Sequence, residues 1–414
     1  MVLSQVFYNH RVIREHKENF IYKIFILQTL CLCGKKITKS INLIHYQNPY
    51  KRIIRVRKNL KKMEIITTNF SNFHKFIKKY RNDIFLLCDE NTENFCLPKV
   101  LEKVPYLADC KRIIIKSGEQ HKTLATIAQI WRFLTENGSK RTSLLVNIGG
   151  GAVCDLGGFA ATTFKRGMDF VNIPTTLLAA IDAAVGGKTG FNFLGYKNEI
   201  GVFAEPKTVI IDIELFESLG NKNLWAGYAE MLKHGYISSK TLLEETFSFI
   251  CGRSMNEIEA QNIDNQKFTE IILQNLKIKQ HYLQIDKFDK KERKALNFGH
   301  TFGHAFETFS HKTDKPLLHG EAVAWGMVCE LLLSHILLNF SKEEVLRLFY
   351  FVKENYPAPN FSCKNSQEIF EIMQHDKKNY SNEINFTLLS DIGKVKINKT
   401  AKKAQILECL DFLC

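Results

Sequence analysis

Six side chains in three distant stretches carry the chemistry that this sequence can offer: Glu230 with Lys233, His300 with His304, and His319 with Glu321. Imidazole and carboxylate oxygen are the donors that a catalytic divalent metal takes, and a site completed by fewer than four protein ligands leaves positions open for substrate. His300 and His304 stand four apart, so a helix would point both to one face. Taken singly, each piece also fits a satisfied interior histidine, a surface (i, i+3) ion pair or a helix N-terminal turn. A second kind of chemistry is offered by Gly149-Gly150-Gly151, which closes an apolar Leu144–Ile148 run and precedes a helical stretch. Backbone N–H groups at such a helix start can cradle a pyrophosphate, and a tight turn is the alternative use of the same glycines. Gly186-Gly187-Lys188-Thr189-Gly190 lacks the first glycine of a phosphate-binding loop, because Asp182 stands there, but Lys188 can still meet a phosphate as a compact cation. Arg166, Lys197-Asn198, Lys279, Arg293 and Asp376-Lys377-Lys378 add donors for an anionic substrate.

The elements that would position these groups fall into two halves. Ile84–Cys88, Arg112–Ile115, Leu144–Ile148, Phe170–Ile173 and Thr208–Ile211 read as strands, and Asn91–Val104, Leu124–Glu136 and Leu156–Thr162 as the helices between them. That alternation predicts an α/β domain over 63–220, Rossmann-like with a mostly parallel sheet. From about 220 the helical spacing dominates, in Trp225–Tyr236, Leu242–Ile250, Lys267–Ile285, Thr301–Phe309, Val323–Leu338 and Glu343–Glu354. An all-α metal- and substrate-binding domain over 221–414 is expected, with room for a late hairpin at Ile384–Leu389 and Lys394–Ile397.

The formal charge of +14 does not make the chain a nucleic-acid binder. Residues 1–62 hold 14 Lys and Arg against two Glu, whereas residues 63–414 hold 43 against 41, so the basic character belongs to the leader. The apolar run Phe20–Cys33 falls short of the about 20 residues that span a bilayer. Residues 1–62 are expected to lie outside the fold, with Met63 the true start. The 11 cysteines contain no Cys-x-x-Cys pair, which fits reduced thiols of a cytoplasmic enzyme that binds neither nucleic acid nor membrane.

Read together, the segments resemble the 3-dehydroquinate synthase family of sugar-phosphate cyclases. The resemblance rests on Gly149-Gly-Gly-x-x-x-Asp-Leu-Gly-Gly-Phe159, Phe164-Lys-Arg-Gly167, Pro174-Thr-Thr-Leu-Leu178, Asp182-x-x-x-Gly-Gly-Lys-Thr-Gly190, Ala226-Gly-x-Ala-Glu-x-x-Lys233, Leu296-Asn-x-Gly-His-Thr-Phe-Gly-His304 and His319-Gly-Glu-Ala-Val323, and it extends from about 65 to about 400. It implies Glu230, His300 and His319 as ligands of Zn2+, with Co2+ a substitute. It implies NAD held by Gly150, Gly151, Asp155, Thr175, Thr176, Lys188 and Lys197, with Asp89, Glu119 and Lys122 around the adenosine half and Ser218 beside the nucleotide. The implied reaction converts 3-deoxy-D-arabino-heptulosonate 7-phosphate to 3-dehydroquinate and phosphate, through transient oxidation, elimination, re-reduction and an intramolecular aldol closure. Lys188, Asn198 and Lys378, with Arg166 of a neighbouring subunit in a homodimer, would meet the phosphate, and Lys279 and Arg293 the carboxylate. Asn297 and His304 would relay protons, and Asp182 and Lys233 would contact substrate hydroxyls.

The chain departs from the family at Leu219-Gly220-Asn-Lys-Asn223, where Leu-Pro and Arg-Glu are usual. Three other readings compete: a sister cyclase of the 2-deoxy-scyllo-inosose synthase kind, whose substrate lacks the carboxylate; a metal-dependent polyol dehydrogenase; and a surface-binding protein acting through the basic leader.

Overall fold

The computed structural model describes residues 66–68, 70–194, 196–250, 265–374 and 383–414. The leader with Met63, and the segment with Asp376, Lys377 and Lys378, lie outside the described residues.

Six parallel strands build the first part: β1 (Ile66–Thr67), β2 (Ile84–Asp89), β3 (Lys111–Ile115), β4 (Leu144–Gly149), β5 (Asp169–Pro174) and, later in the chain, β8 (Val209–Ile210), in the order β1-β8-β5-β4-β2-β3. β4 is buried at all six positions, which is why it reads as an unbroken apolar run rather than an alternating one. Its one polar interruption, Asn147, lies opposite Asn172 of β5 and donates to it at 2.9 Å, and Asn172 donates onward to the Ala184 carbonyl at 3.0 Å. Helices α1 (Phe70–Ile77), α2 (Glu90–Phe95), α3 (Leu97–Lys103), α4 (Leu124–Glu136) and α5 (Gly151–Thr163) accompany the sheet. The expected single helix over 91–104 is two, parted at Cys96 where Pro98 opens the second.

Two features of this half differ from the periodicity. Residues 188–203, expected as a glycine-rich loop and its sequel, form an antiparallel hairpin of β6 (Lys188–Phe193) and β7 (Tyr196–Phe203). Gly190 faces Gly201 across it, and a Cβ at Gly190 would sit 2.4 Å from the Ile200 carbonyl oxygen, so the glycines permit close backbone pairing. Asp182 lies in a π-helical turn, Ala179–Ala183, an arrangement that inserts an extra residue and re-aims side chains.

From Asn221 the chain is mainly helical: α6 (Asn221–Ser238), α7 (Lys240–Ile250), α8 (Asn265–Ile285), α9 (His300–Ser310), α10 (His319–Leu338), α11 (Lys342–Asn355), α12 (Ser366–Gln374) and α13 (Lys403–Asp411), with the late hairpin present as β9 (Phe386–Asp391) and β10 (Lys394–Lys399). α10 is long and apolar enough to cross a membrane, but it is mostly buried inside the fold, the behaviour of a helix apolar on every side at the centre of a bundle. One apolar cluster runs from Val146 and Ile173 of the sheet through Trp225, Phe302, Val328 and Leu389, and a second covers the opposite sheet face through Phe85, Ile130, Phe159 and Phe191.

Candidate functional site

The metal-capable groups sit where α6, α9 and α10 touch, and glycines set that closeness. A Cβ on Gly320 would lie 1.9 Å from the Ala226 carbonyl oxygen of α6, and one on Gly326 would lie 2.0 Å from the Gly299 carbonyl oxygen at the start of α9. The three backbones can approach only because side chains are missing at these crossings.

The start of α9 is fixed by a buried carboxylate. Glu330 of α10 accepts the backbone N–H of Gly299 at 2.8 Å and of Thr301 at 2.9 Å, bracketing His300. Gly299 takes φ +80°, a left-handed conformation that glycine allows at little cost.

Within this frame, Glu230 is fully buried. Its Oε2 accepts from Lys233, while Oε1 lies 3.5 Å from His300 Nε2 and 3.8 Å from His319 Nε2 and has no hydrogen-bond partner. His300, His304 and His319 bring ring nitrogens within 4.8 Å of one another. His300 Nδ1 contacts the Phe298 carbonyl oxygen at 3.1 Å, which turns its other nitrogen toward Glu230. A buried carboxylate oxygen without a donor, facing several imidazoles, is a costly arrangement unless a cation completes it. The donor set of neutral imidazoles and one carboxylate fits zinc or cobalt. Glu230, His300 and His319 are thus together, and His304, expected as a proton relay, stands in the same cluster with its ring centroid 5.4 Å from that of His300.

Glu307 was not singled out by the sequence reading. It accepts at 3.2 Å from His319 Nδ1 through one oxygen and at 2.6 Å from Lys197 through the other. Burial would raise its carboxyl, but His319 and Lys197 hold it far below the usual range. Burial likewise works against a charged His319, yet Glu307 first, then Glu230 and Asp182, raise its pKa above the ordinary value. A carboxylate on the far nitrogen of a ligating histidine fixes the ring and its tautomer. The signal was available: Glu307 lies seven residues after His300 and three after His304, on the same helix face.

Beside the cluster, Asp182 receives Lys279 on both its carboxylate and its carbonyl oxygen. Burial opposes ionisation of Asp182, but Lys279 and Lys233 hold its carboxyl well below the usual range. Lys279 is itself pulled down by burial, against the opposing pull of Asp182. Arg293 is buried and donates to the Gly186 carbonyl at 2.6 Å and the Lys287 carbonyl at 2.9 Å. Lys188, exposed on β6, pairs with Asp289 at 2.5 Å. Asn297 ends the short 3-10 helix Glu292–Asn297 that leads to His300.

The glycine run lies at the C-terminal end of β4, with Asp89 ending β2 and Pro174 ending β5 on either side. This is the crevice of an open parallel sheet where strand order reverses. Gly150 caps α5 without any side-chain hydrogen bond. A Cβ at Gly150 would stand 3.3 Å from Thr176, and Thr176 itself receives the Ala179 N–H at 3.1 Å. Thr175 N–H donates to the Gly149 carbonyl at 3.0 Å. Asp155 accepts from the buried Lys122 at 2.6 Å, and Lys122 also donates to Asn198 at 2.5 Å, so these three expected contacts form one network. Burial raises the Asp155 carboxyl in spite of Lys122. Glu119 accepts from Asn192 at 2.9 Å, Asp89 caps α2, and Ser218 Oγ lies 3.9 Å from Cys96 Sγ. Arg166 is exposed on the turn after α5, at φ +65°. Lys378 lies outside the described residues.

Two family models cover most of the fold: that described as 3-dehydroquinate synthase N-terminal matches residues 112–226, and that described as 3-dehydroquinate synthase C-terminal matches 227–379. The chain is 44% identical to a 3-dehydroquinate synthase of Parabacteroides distasonis over 343 residues, which covers 83% of this chain and 94% of the relative. It is 35% identical to that of Clostridium tetani over 350 residues, covering 84% and 91%. Among solved structures, a 2-deoxy-scyllo-inosose synthase complexed with carbaglucose-6-phosphate, NAD+ and Co2+ superposes with a TM-score of 0.71 at 23% identity, covering 83% of this chain and 94% of that one. A 2-epi-5-epi-valiolone synthase from Streptomyces hygroscopicus with NAD+ and Zn2+ bound gives 0.70 at 20% identity, covering 91% and 99%. At these identities the two structures establish the shared fold.

Proposed function

The chain belongs to the 3-dehydroquinate synthase family, phosphate-eliminating lyases of the shikimate pathway, and we propose that it converts 3-deoxy-D-arabino-heptulosonate 7-phosphate to 3-dehydroquinate and inorganic phosphate. The observation that carries the reading is the partnerless Glu230 Oε1 facing His300 and His319, beside Asp182, which holds the buried Lys279. Bound NAD supplies a reversible hydride acceptor, and a bound zinc or cobalt ion supplies polarisation of a substrate hydroxyl.

The protein's own groups orient and neutralise. Glu230, His300 and His319 hold the ion, and the Gly150–Gly151 helix start, Thr175, Thr176 and the Asp155–Lys122 pair hold the dinucleotide. Lys279 and Arg293 converge on Gly186, where a Cβ would stand 3.1 Å from Lys279 Nζ and where Arg293 already grips the carbonyl. We assign the substrate carboxylate to this pair, which argues for a carboxylate-bearing substrate over that of a sister cyclase. Lys188 and Asn198, with Lys378, receive the phosphate. His304, within the imidazole cluster, takes and returns protons, and Lys233 and Asp182 steady the hydroxyls.

The hairpin β6–β7 exposes Phe193, Leu194, Tyr196, Ile200 and Phe203, more apolar surface than a lone hairpin needs. This supports a homodimer in which Arg166 reaches the neighbour's phosphate site. We place the enzyme in the cytoplasm and treat 63–220 and 221–414 as its two domains. The test is phosphate release from the heptulosonate phosphate with catalytic NAD and zinc. Dehydroquinate formed without net NADH, and lost on chelation, is the expected result; steady NADH growth on a simple polyol, or no release from folded, zinc-loaded protein, would overturn it.

A further inference from the structure

The turn Cys363–Asn365 before α12 and the end of α13 bring together a second metal-capable set. Cys363, Asp411 and Cys414 each offer one sulfur or carboxylate oxygen, and these atoms lie within 4.8 Å of one another. Both thiols are exposed, whereas Cys88, Cys96, Cys154, Cys329 and Cys409 are buried and Cys110 is half-buried. The backbone around the set is held in advance. Asn365 Oδ1 accepts the Ser362 N–H at 3.0 Å, which fixes the turn carrying Cys363. Ser366 Oγ donates to Asp411 Oδ1 at 3.1 Å, tying the start of α12 to the end of α13, and the Cys414 N–H donates to the Asp411 carbonyl at 3.2 Å.

We propose that Cys363, Asp411 and Cys414 form a surface site for a thiophilic divalent cation of the zinc type, with water completing the coordination. Bond lengths of about 2.3 Å to sulfur and about 2.1 Å to oxygen in a tetrahedron require donor separations of roughly 3.5–3.8 Å. Exposed side chains gathered within 4.8 Å need close by no more than about 1 Å, which rotamer adjustment supplies. Binding releases one proton from each thiol as it becomes a thiolate and transfers no electrons. A disulfide would use only the two sulfurs, whereas a cation uses all three groups. Sulfur ligands select zinc over the hard cations magnesium and calcium. The bound ion would clip α12 to α13; Phe361, before α12, stacks on Phe306 of α9 at 5.5 Å, and Glu368 of α12 pairs with Lys312, just past α9, at 2.5 Å.

Cobalt titration of the full-length, reduced chain separates this site from the candidate active site, whose donors are nitrogen and oxygen. A second equivalent of Co2+ should bring in a thiolate-to-cobalt charge-transfer band in the near ultraviolet. Cys363→Ser and Cys414→Ser should each abolish that band and lower the stoichiometry to one, with an unchanged circular dichroism spectrum and turnover within about twofold of the parent. Absence of the band in fully reduced protein, its persistence in both variants, or a Cys363–Cys414 disulfide found by peptide mapping in place of metal would overturn the proposal.

Discussion

Substituting Gly320 by Ala tests whether helix closeness builds the site. The added Cβ would stand 1.9 Å from the Ala226 carbonyl oxygen and 2.5 Å from that residue's Cα and carbonyl carbon. Ordinary contact begins near 3.4 Å, so α10 or α6 must retreat by about 1–1.5 Å, and both are buried backbone with no flexible side-chain end to give way. Overpacking of this kind costs about 1–3 kcal/mol, which for a chain of this size lowers the melting temperature by roughly 1–4 °C. The sharper consequence is functional. His319 is the preceding residue and Glu230 lies one turn beyond Ala226, so the retreat opens the 3.8 Å gap between them directly. A displacement near 1 Å in a reacting constellation can cost about a hundredfold in rate. The assay is turnover beside a competitive zinc titration, with Gly220→Ala as control, since a Cβ there meets nothing within 4 Å. Zinc affinity within twofold of the parent and an unshifted melt in Gly320→Ala would refute the claim that this crossing sets the ligand geometry.

Three further outcomes follow from named contacts. Glu307→Gln removes the carboxylate on His319 Nδ1 and should weaken zinc about 10–100-fold by chelator competition, with turnover per bound zinc changed far less. Because the His319 pKa is raised above 6.5 by Glu307 against the pull of burial, its proton stabilises the metal-free fold fully below that value, and the contribution fades as pH rises through the folded pKa. Zinc must displace the same proton, so the apparent zinc affinity should begin to fall while pH is still above 6.5, and a pH-independent affinity between about 6 and 8 would contradict this. Arg293→Ala removes a charged donor expected at the substrate carboxylate, worth about 1.5–3 kcal/mol, and should raise KM roughly 10–100-fold; an unchanged KM would favour a substrate without a carboxylate.

Much of this arrangement was legible before any coordinates, and what was not has physical causes. β2, β4 and β5 announce themselves because strands buried on both faces read as apolar runs, β3 by its three consecutive isoleucines, and α9 by apolar positions at helical spacing, whereas α6 and α10, buried on nearly every side, declare themselves as helices by their length. The β6–β7 hairpin was hidden: its strands carry Gly190 and Gly201 where alternation would need side chains, and β7 is exposed at nearly every position, so no period survives. The π-helical turn at Asp182 has no periodic signature either, since one inserted residue is too short a deviation to read. Glu307 escaped because a lone glutamate on a helix face ordinarily means solvent, and only its burial against His319 and Lys197 gives it a task. Glu330 escaped for a stronger reason. Its partners are backbone amides of Gly299 and Thr301, which every sequence possesses, so no residue type could have pointed to them.

The ligands come from positions 230, 300 and 319, and what unites them is the absence of side chains at Gly320 and Gly326 together with one buried carboxylate that caps the helix bearing His300. The donor types are written at the ligand positions, but their convergence is written at the glycines. A chain that kept all three ligands and lost the helix crossings would retain the recognisable signature while losing the geometry that gives Glu230 Oε1 its place between His300 and His319.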